Sequence, residues 1–271
     1  MIGHGCILPF IDSIIVGGER MMEVVVTVDA TEKVGRYALL DSFLLVLLRF
    51  SAFHRNGLND FEWTSVAEEL HRKRKKVYLL MDRVFFDADF PLMEQWILQA
   101  ENLSVDGYFV SDPGMIAFLQ KRGLASKTIY YSQTQIQSLM EATAFLNRGI
   151  FRVFLSGEAI DSPIREVPRG LGIRLFGYPN LFYSRRKLLN SGGNPEEDSD
   201  IFQIRECNRT MKLRIFQNEY GTYIFSDRPE NRLAWLSEPE SRIDMGLIDD
   251  QFVDSDTLDR ILRFCKEARE R

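Results

Sequence analysis

The sequence is poor in cysteine and contains no long apolar run. Its 271 residues include three cysteines, at positions 6, 207 and 265, which are too scattered to form a disulfide framework. The longest apolar run, residues 43–48, has the length of a β-strand and is too short to span a membrane. These absences favour a protein without a membrane span in a reducing compartment, and we expect it in the cytoplasm.

Histidine is equally scarce, and recognisable catalytic motifs are missing. His4, His54 and His71 are isolated in the sequence, without a second ligand at metal-site spacing, and we predict no metal site. Cys207 has no histidine nearby in sequence, and Cys265 falls on the buried side of a terminal helix, so neither indicates a thiol nucleophile. A Ser-His-Asp arrangement remains open, although no G-x-S-x-G motif indicates one.

The chain also lacks an excess of positive charge. Lys and Arg number 34 against 39 Asp and Glu, a net charge of −5, which excludes wholesale coating of nucleic acid but not a local basic patch. Residues 72–76 (RKRKK) end a predicted helix, where cations complement the helix dipole, and we interpret them as structural. Residues 185–187 (RRK) follow a predicted strand; a phosphate contact and a solvated loop are equally open interpretations.

Strand-length apolar segments alternate regularly with segments of helical periodicity. Hydrophobic residues make up 45% of the chain, which excludes disorder. The predicted strands are residues 23–28, 42–48, 77–81, 107–111, 128–132, 152–156, 173–177 and 245–248. The predicted helices are residues 31–39, 61–74, 90–103, 113–122, 134–147, 162–167 and 258–269. Such alternation predicts parallel strands with right-handed crossovers, and the count of eight indicates an α/β fold, the TIM-type (β/α)8 barrel.

The barrel pattern predicts a single domain over residues 22–271, with an insertion before the last strand. Within that insertion, residues 178–244, the segments 212–216 and 222–226 form a predicted β-hairpin and residues 231–236 a predicted helix. Residues 1–21 carry neither a cationic leader nor a small-residue cleavage site, which disfavours a signal peptide. Met21 and Met22 directly precede the first strand, so we expect residues 1–21 to be a non-native or disordered arm.

In a barrel of this kind, ligands bind at the carboxyl ends of the strands. That rule selects twelve candidates, which mix carboxylates, arginines and amides suited to a polar ligand: Asp29, Arg49, Asp82, Arg83, Ser111, Asp112, Gln133, Gln135, Gly157, Glu158, Tyr178 and Asp249. A simpler interpretation exists for the aspartates. Asp29, Asp82 and Asp112 each follow a strand and could simply cap the next helix.

Six segments of the chain resemble the collagenase-like peptidase family U32. They are residues 75–83 (KKVYLLMDR), 105–114 (VDGYFVSDPG), 131–135 (YSQTQ), 152–160 (RVFLSGEAI), 175–189 (LFGYPNLFYSRRKLL) and 219–225 (EYGTYIF). Each motif is weak by itself, but their order and spacing make the resemblance specific. The resemblance as a whole extends over roughly residues 23–255. The resemblance is greatest to a short branch of the family.

The resemblance implies a TIM-type barrel, in agreement with the strand count, and the peptidase name of the family is historical. Family members include proteins for the hydroxylation of transfer-RNA wobble uridine, ribosomal RNA or the ubiquinone ring. Glu158 falls on the family's glutamate, whereas Asp82 stands in place of its asparagine and Tyr223 in place of a histidine. Some members carry a four-cysteine iron–sulfur cluster. Here Lys187 replaces one of those cysteines, so we expect no such cofactor.

Three functions follow from the resemblance. The first is a role in transfer-RNA wobble-uridine hydroxylation, with transfer RNA as the partner. The second is a divergent, non-catalytic partner subunit of a paralogous family member, and the third is a peptidase, as the family name says. For the site we predict Glu158 and Asp82 as catalytic residues. Predicted substrate-binding residues are Arg83, Asp112, Gln133, Gln135, Tyr178, Arg185 and Arg186.

Overall fold

The protein is a closed barrel of parallel strands. The computed structural model describes residues 15–16, 19–132, 136, 138–156, 159, 168–189, 202–205, 212–237 and 243–270. In chain order, the first to eighth barrel strands are Glu23–Val28, Ser42–Val46, Lys76–Met81, Gly107–Val110, Thr128–Tyr130, Arg152–Leu155, Leu171–Gly177 and Met245–Ile248. Each pairs in parallel with the next, and the eighth pairs with the first, so the sheet has no open edge. The predicted TIM-type barrel is confirmed.

Helices lie between the strands and cover the outside of the barrel. They are Lys33–Arg36, Glu62–Arg72, Phe90–Asn102, Pro113–Lys121, Leu139–Leu146 and Ser255–Glu270. Short 3-10 helices form at Asp87–Asp89, Ala125–Lys127 and Leu233–Ser237. Helix Glu62–Arg72 buries Trp63 and Leu70 on one side, as its spacing predicts. The predicted helix at residues 162–167 lies outside the described residues.

Two predicted helices are shorter in the structure. The helix predicted at residues 31–39 spans only Lys33–Arg36, because Tyr37 leaves the helical conformation and its side chain turns inward to donate a hydrogen bond to Asp250. The helix predicted to begin at residue 134 begins at Leu139. Ser138 caps it by accepting a hydrogen bond from the Glu141 backbone N–H, the S-x-x-E pattern of a helix start.

The insertion forms a sheet of its own. The predicted hairpin is confirmed as Lys212–Asn218 and Gly221–Phe225, and two further strands flank it, Asn180–Ser184 and Phe202–Arg205, to make a four-stranded antiparallel sheet. The helix predicted at residues 231–236 is wrong in part. Residues Glu230–Asn231 instead pair antiparallel with the end of the seventh barrel strand, and only a 3-10 turn follows. A small two-stranded ladder joins Ile15–Val16 to Glu19–Arg20.

The barrel interior is layered by the alternation of side chains along its strands. The middle layer is apolar and aromatic: Val25, Leu44, Tyr78, Leu80, Phe109, Ile129, Phe154, Met245 and Leu247. Two residues further along several strands, the inward-facing positions are polar at the carboxyl-terminal end. The apolar middle layer therefore separates a polar layer at the carboxyl-terminal end, where a ligand can enter, from the amino-terminal end of the barrel.

The amino-terminal end is closed by a charged cluster around Glu23. Its carboxylate accepts hydrogen bonds from the Ser42 and Tyr78 hydroxyls, both at 2.7 Å. Lys76 lies 3.3 Å and Arg152 3.6 Å from the other carboxylate oxygen. The basic run at residues 72–76 thus reaches this face of the barrel through Lys76, as its structural interpretation predicts.

Removal of the Glu23 carboxylate should destabilise the fold. We expect Glu23→Ala to lower the free energy of unfolding by about 2–3 kcal/mol, because two hydroxyls and the buried Arg152 lose their acceptor. Urea denaturation measures the change. The matched control is Glu69→Ala, whose exposed pair with Lys73 should contribute less than about 0.5 kcal/mol. Equal losses in the two variants would contradict a closing role for Glu23.

Candidate functional site

Polar side chains converge at the carboxyl-terminal mouth of the barrel. Five residues each follow a small or apolar residue of the barrel interior by two positions. Side chains two residues apart on a strand point to the same side, so these five share the upper layer of the interior: Asp82, Ser111, Tyr131, Arg174 and Asp249. Asp82, Tyr131 and Asp249 are almost fully buried. The mouth therefore contains several ionisable groups in a dry environment, where charges interact strongly.

His54 lies at the centre of this layer, between two carboxylates. Its Nε2 is 3.3 Å from Asp249 Oδ1, and its Nδ1 is 3.8 Å from Asp82 Oδ2 and 3.2 Å from the Ser51 hydroxyl. The His54 side chain is only 4% exposed and both carboxylates are at most 5% exposed. His54 is isolated in the sequence, and its partners in the structure come from distant segments that follow the third and eighth strands.

The carboxylates determine the charge of this histidine. Burial by itself would lower the pKa of His54, but the negative charge of Asp249 and the hydrogen bonds of Asp249 and Asp82 outweigh burial and raise the pKa to about 10. Burial would raise the pKa of Asp249, yet His54 and Arg174 lower it below its ordinary value. At neutral pH the site therefore contains an imidazolium between two carboxylates, and His54 has no free lone pair with which to accept a proton.

Arg174 is the second cation of this polar layer, beside His54. It is the charged residue of an otherwise apolar strand, and its guanidinium donates a hydrogen bond to the Tyr131 hydroxyl at 2.7 Å. Glu230 lies 3.8 Å away on the other side. Burial is the main cause of the raised pKa of Tyr131, so this hydroxyl stays protonated at neutral pH. Two cations thus face the two aspartates within the layer, and Glu230 adds a further carboxylate beside Arg174.

A loop covers this charged layer from above. The Ala52 backbone N–H donates to Asp82 at 2.7 Å, and the Ala52 carbonyl accepts from Asn218 of the inserted hairpin at 2.9 Å. Gln251 fastens the same loop through the Phe53 carbonyl and the Arg55 N–H. Because Ser51 to His54 are all buried, the side of the mouth above the second, third and eighth strands is closed.

A second cluster of charged side chains, around Lys33, has an evident structural role. Lys33 bridges Asp29 at 2.6 Å and Asp250 at 2.7 Å. Asp250 also accepts hydrogen bonds from Thr27 and Tyr37. These bonds attach the first helix to the ends of the first and eighth strands. Asp29 therefore supports the helix that follows it, close to the capping role that the sequence left open.

The structure places the other predicted site residues in different surroundings. Arg83 forms an ion pair with Asp89 at 3.1 Å, and its guanidinium lies over the Phe85 and Tyr220 rings. Asp112 accepts a hydrogen bond from the Met115 N–H and caps its helix, as the simpler interpretation predicts.

The remaining predictions fall on the insertion or beyond the described residues. Tyr178 packs against the Arg214 guanidinium and the Phe252 ring. Arg185 stacks on Phe86 at 4.0 Å, and Arg186 is exposed beside it. Gln133, Gln135 and Glu158 lie outside the described residues, so their predicted roles stay predictions. The structure brings Asp82 into one cluster with His54 and Asp249, whereas Asp112 and Tyr178 have separate contacts.

Sequence reasoning did not find His54 or Arg174. Arg174 carried a usable signal, since a charge inside an apolar strand of a parallel barrel has to be paired within the barrel. His54 carried none, because it comes from an irregular loop and its partner Asp249 is 195 residues away in sequence.

The described residues offer no metal centre. No group of three or more His, Cys, Asp or Glu among them could hold a metal ion. Cys265, the cysteine that lies within the described ranges, belongs to the last helix and is buried. Nor does any helix of this part of the chain have the length and apolar character needed to cross a membrane.

Comparisons with known proteins agree with this architecture. A curated relative, tRNA hydroxylation protein P of Helicobacter pylori, is 21% identical over 185 residues, which are 62% of this chain and 44% of the relative. The chain thus spans less than half the length of that protein. The solved structure of a U32 peptidase superposes with a TM-score of 0.54 at 13% identity, covering 84% of this chain and 92% of the other.

A second solved structure, of a protein from Aquifex aeolicus VF5, has a TM-score of 0.48 at 10% identity, with 92% of each chain covered. The model of peptidase family U32 matches residues 38–235, well over half of the chain. The chain therefore belongs to peptidase family U32.

Proposed function

We propose that this protein acts in transfer-RNA modification, as a component of wobble-uridine hydroxylation. The observation that carries the proposal is the similarity to tRNA hydroxylation protein P, which covers 62% of this chain. The polar mouth supports it, because carboxylates, a guanidinium and hydroxyls suit a polar metabolite or nucleotide. In this proposal Glu158 is the reactive carboxylate, and Asp82, which is buried beneath the loop and accepts the Ala52 N–H, takes a positioning role in place of the catalytic one that the sequence predicts. The substrate is bound by Arg83, Asp112, Gln133, Gln135, Tyr178, Arg185 and Arg186.

The electrostatics of the mouth argue against proteolysis by a serine nucleophile. Ser51, His54 and Asp249 do form a chain of close contacts that resembles a Ser-His-Asp arrangement. Such a triad requires a neutral histidine that accepts the serine proton. The pKa of His54 is raised to about 10, so the imidazole is already protonated at neutral pH. Ser51 is also buried within the loop, out of reach of a peptide substrate.

The residues of this chain do not fit an iron–sulfur cluster. Such clusters take four thiolates, and the chain has three cysteines, of which Cys265 is buried on the inner side of the last helix. This shortage favours a second candidate function, a subunit that works with a paralogous family member. We expect the purified protein to contain no stoichiometric iron. If the second candidate function is correct, we expect an affinity-tagged version of this protein to co-purify with a cysteine-containing paralogue.

The test of the proposed function is the nucleoside content of transfer RNA. In the organism that carries this gene, we expect deletion to abolish 5-hydroxyuridine derivatives, measured by mass spectrometry of digested transfer RNA. Re-expression of the wild type and of Glu69→Gln, an exposed control, should restore them, whereas Glu158→Gln should not. Unchanged levels in the deletion strain would reject the proposal, and cleavage of gelatin or peptide libraries by the purified protein would support the peptidase instead.

A further inference from the structure

A set of exposed cations lies beside an exposed aromatic ring at the edge of the inserted sheet. Arg185, Arg186 and Lys187 follow the edge strand Asn180–Ser184, and all three are exposed. None of them forms an ion pair with a carboxylate of the described residues. In a chain of net charge −5, three consecutive cations without a carboxylate partner among the described residues form a local positive site.

The segment that carries these cations is held in place. The Arg186 N–H donates to the Ser184 hydroxyl, and the Arg186 carbonyl lies 2.8 Å from the Thr222 hydroxyl. The Leu188 N–H donates to the same Thr222 oxygen at 3.0 Å, and the Leu189 N–H donates to Gln217 at 3.0 Å. Such anchoring lowers the conformational entropy that a bound ligand would have to remove.

Phe86 adds a flat surface next to the charges. Its ring is 42% exposed and lies 4.0 Å from the Arg185 guanidinium. Its neighbour Arg83 lies over the Tyr220 ring of the inserted hairpin, so the loop that carries Phe86 is attached to the same sheet as the cations. We call Phe86 with residues 185–187 the arginine–phenylalanine platform.

We propose that the arginine–phenylalanine platform binds a single-stranded segment of RNA, with the cations on successive phosphates and a base stacked at Phe86 and Arg185. Cations on a fixed backbone beside an exposed aromatic ring are the combination by which single strands are bound. A base inside a duplex has no open face for such stacking, so the platform favours a loop over a stem. This inference rests on the proposed function and deepens it by locating the RNA contact on the insertion.

Fluorescence anisotropy with a labelled RNA hairpin that has a uridine-rich loop tests the inference. We expect the triple variant Arg185→Ala, Arg186→Ala, Lys187→Ala to bind at least about tenfold more weakly, and its log–log salt slope to fall by about 2, from roughly 0.7 per lost phosphate contact. Phe86→Ala should weaken binding about tenfold with the salt slope unchanged. A blunt RNA duplex of the same stem should bind more weakly than the hairpin.

The matched control removes three exposed cations from the opposite face of the barrel. Arg72, Lys121 and Arg148 lie at or just beyond the ends of helices that lead into strands, and their replacement by alanine lowers the net charge equally. We expect this variant to bind RNA within about twofold of the wild type. Circular dichroism melting verifies that each variant is folded.

Three results would overturn the inference. They are equal weakening by the control variant, equally tight binding of the blunt duplex, and wild-type binding to vesicles of anionic lipid but not to the hairpin. The proposed function can fail separately. Loss of hairpin binding in the platform variants, combined with unchanged transfer RNA in the deletion strain, would retain the platform and reject the hydroxylation role. Unchanged hairpin binding in the platform variants, combined with loss of 5-hydroxyuridine derivatives in the deletion strain, would retain the hydroxylation role and reject the platform.

Discussion

Replacing Asp249 by asparagine will lower the free energy of unfolding by about 3–5 kcal/mol at neutral pH. The reason is that the substitution leaves a buried imidazolium and a buried guanidinium with one carboxylate fewer. The pKa of His54 should fall at the same time, because the charge of Asp249 is the largest of the effects that raise it. Chemical denaturation measures the stability, and the His54 ring protons in NMR spectra report the pKa.

The same histidine predicts how stability depends on pH. The pKa of His54 is raised in the folded protein, so its stabilising contribution is complete below its ordinary pKa of 6.5 and is lost as the pH rises through about 10. Between these values, the wild type should lose up to about 1.4 kcal/mol per pH unit relative to His54→Gln. A constant difference between the two proteins over this range would contradict the imidazolium.

The matched control is Asp106→Asn on the opposite face of the barrel. Asp106 also contacts a histidine, His71, at 3.4 Å, but both side chains are partly exposed. We expect that substitution to cost less than about 1 kcal/mol, because solvent screens the pair. If Asp249→Asn is no more destabilising than Asp106→Asn, the buried cluster of His54 with Asp82 and Asp249 does not stabilise the mouth of the barrel.

Replacing Phe109 by alanine will also destabilise the barrel, by about 3–5 kcal/mol. Phe109 is fully buried in the middle of the interior, and its ring contacts those of Tyr78, Tyr131 and Phe154 at centroid distances of 5.6, 6.0 and 5.3 Å. The truncation leaves a cavity directly below Tyr131, so Arg174 also loses a well-placed partner. Thermal melting should show a decrease of roughly 10 °C.

Phe61→Ala is the control for this second prediction. The Phe61 side chain is 85% exposed at the start of helix Glu62–Arg72 and forms no capping bond, so its removal should change stability by less than about 0.5 kcal/mol. Phe109→Leu, which retains most of the volume, should cost less than about 1.5 kcal/mol. If Phe109→Ala lowers the free energy of unfolding no more than Phe61→Ala does, the middle layer does not support the site from below.

The two predictions concern one physical arrangement. An apolar and aromatic layer closes the barrel below the mouth. A set of paired charges, His54 with Arg174 against Asp82 and Asp249, closes part of the mouth itself. Because the loop above this set buries it, its role is to position neighbouring elements and their polar groups. In the proposed function, the substrate contacts the open remainder of the mouth and the insertion beside it.

The sequence by itself determined the barrel, because parallel strands and covering helices leave local periodicities of two and 3.6 residues that can be counted along the chain. It also placed Asp82 and Asp249 at one end of the barrel, since the carboxyl ends of parallel strands share one face. The cap at Asp112 was readable for a similar reason, because its side chain acts on a backbone N–H only three residues away.

Only the tertiary structure decided which charges meet. His54 lies on an irregular loop without periodicity, and its contacts with Asp82 and Asp249 depend on how that loop folds over the mouth. The four-stranded sheet of the insertion and the early end of the first helix likewise depend on contacts between distant segments, such as Tyr37 with Asp250. Local patterns in a sequence report which face of an element is apolar, whereas the pairing of buried charges follows from packing between elements far apart in the chain.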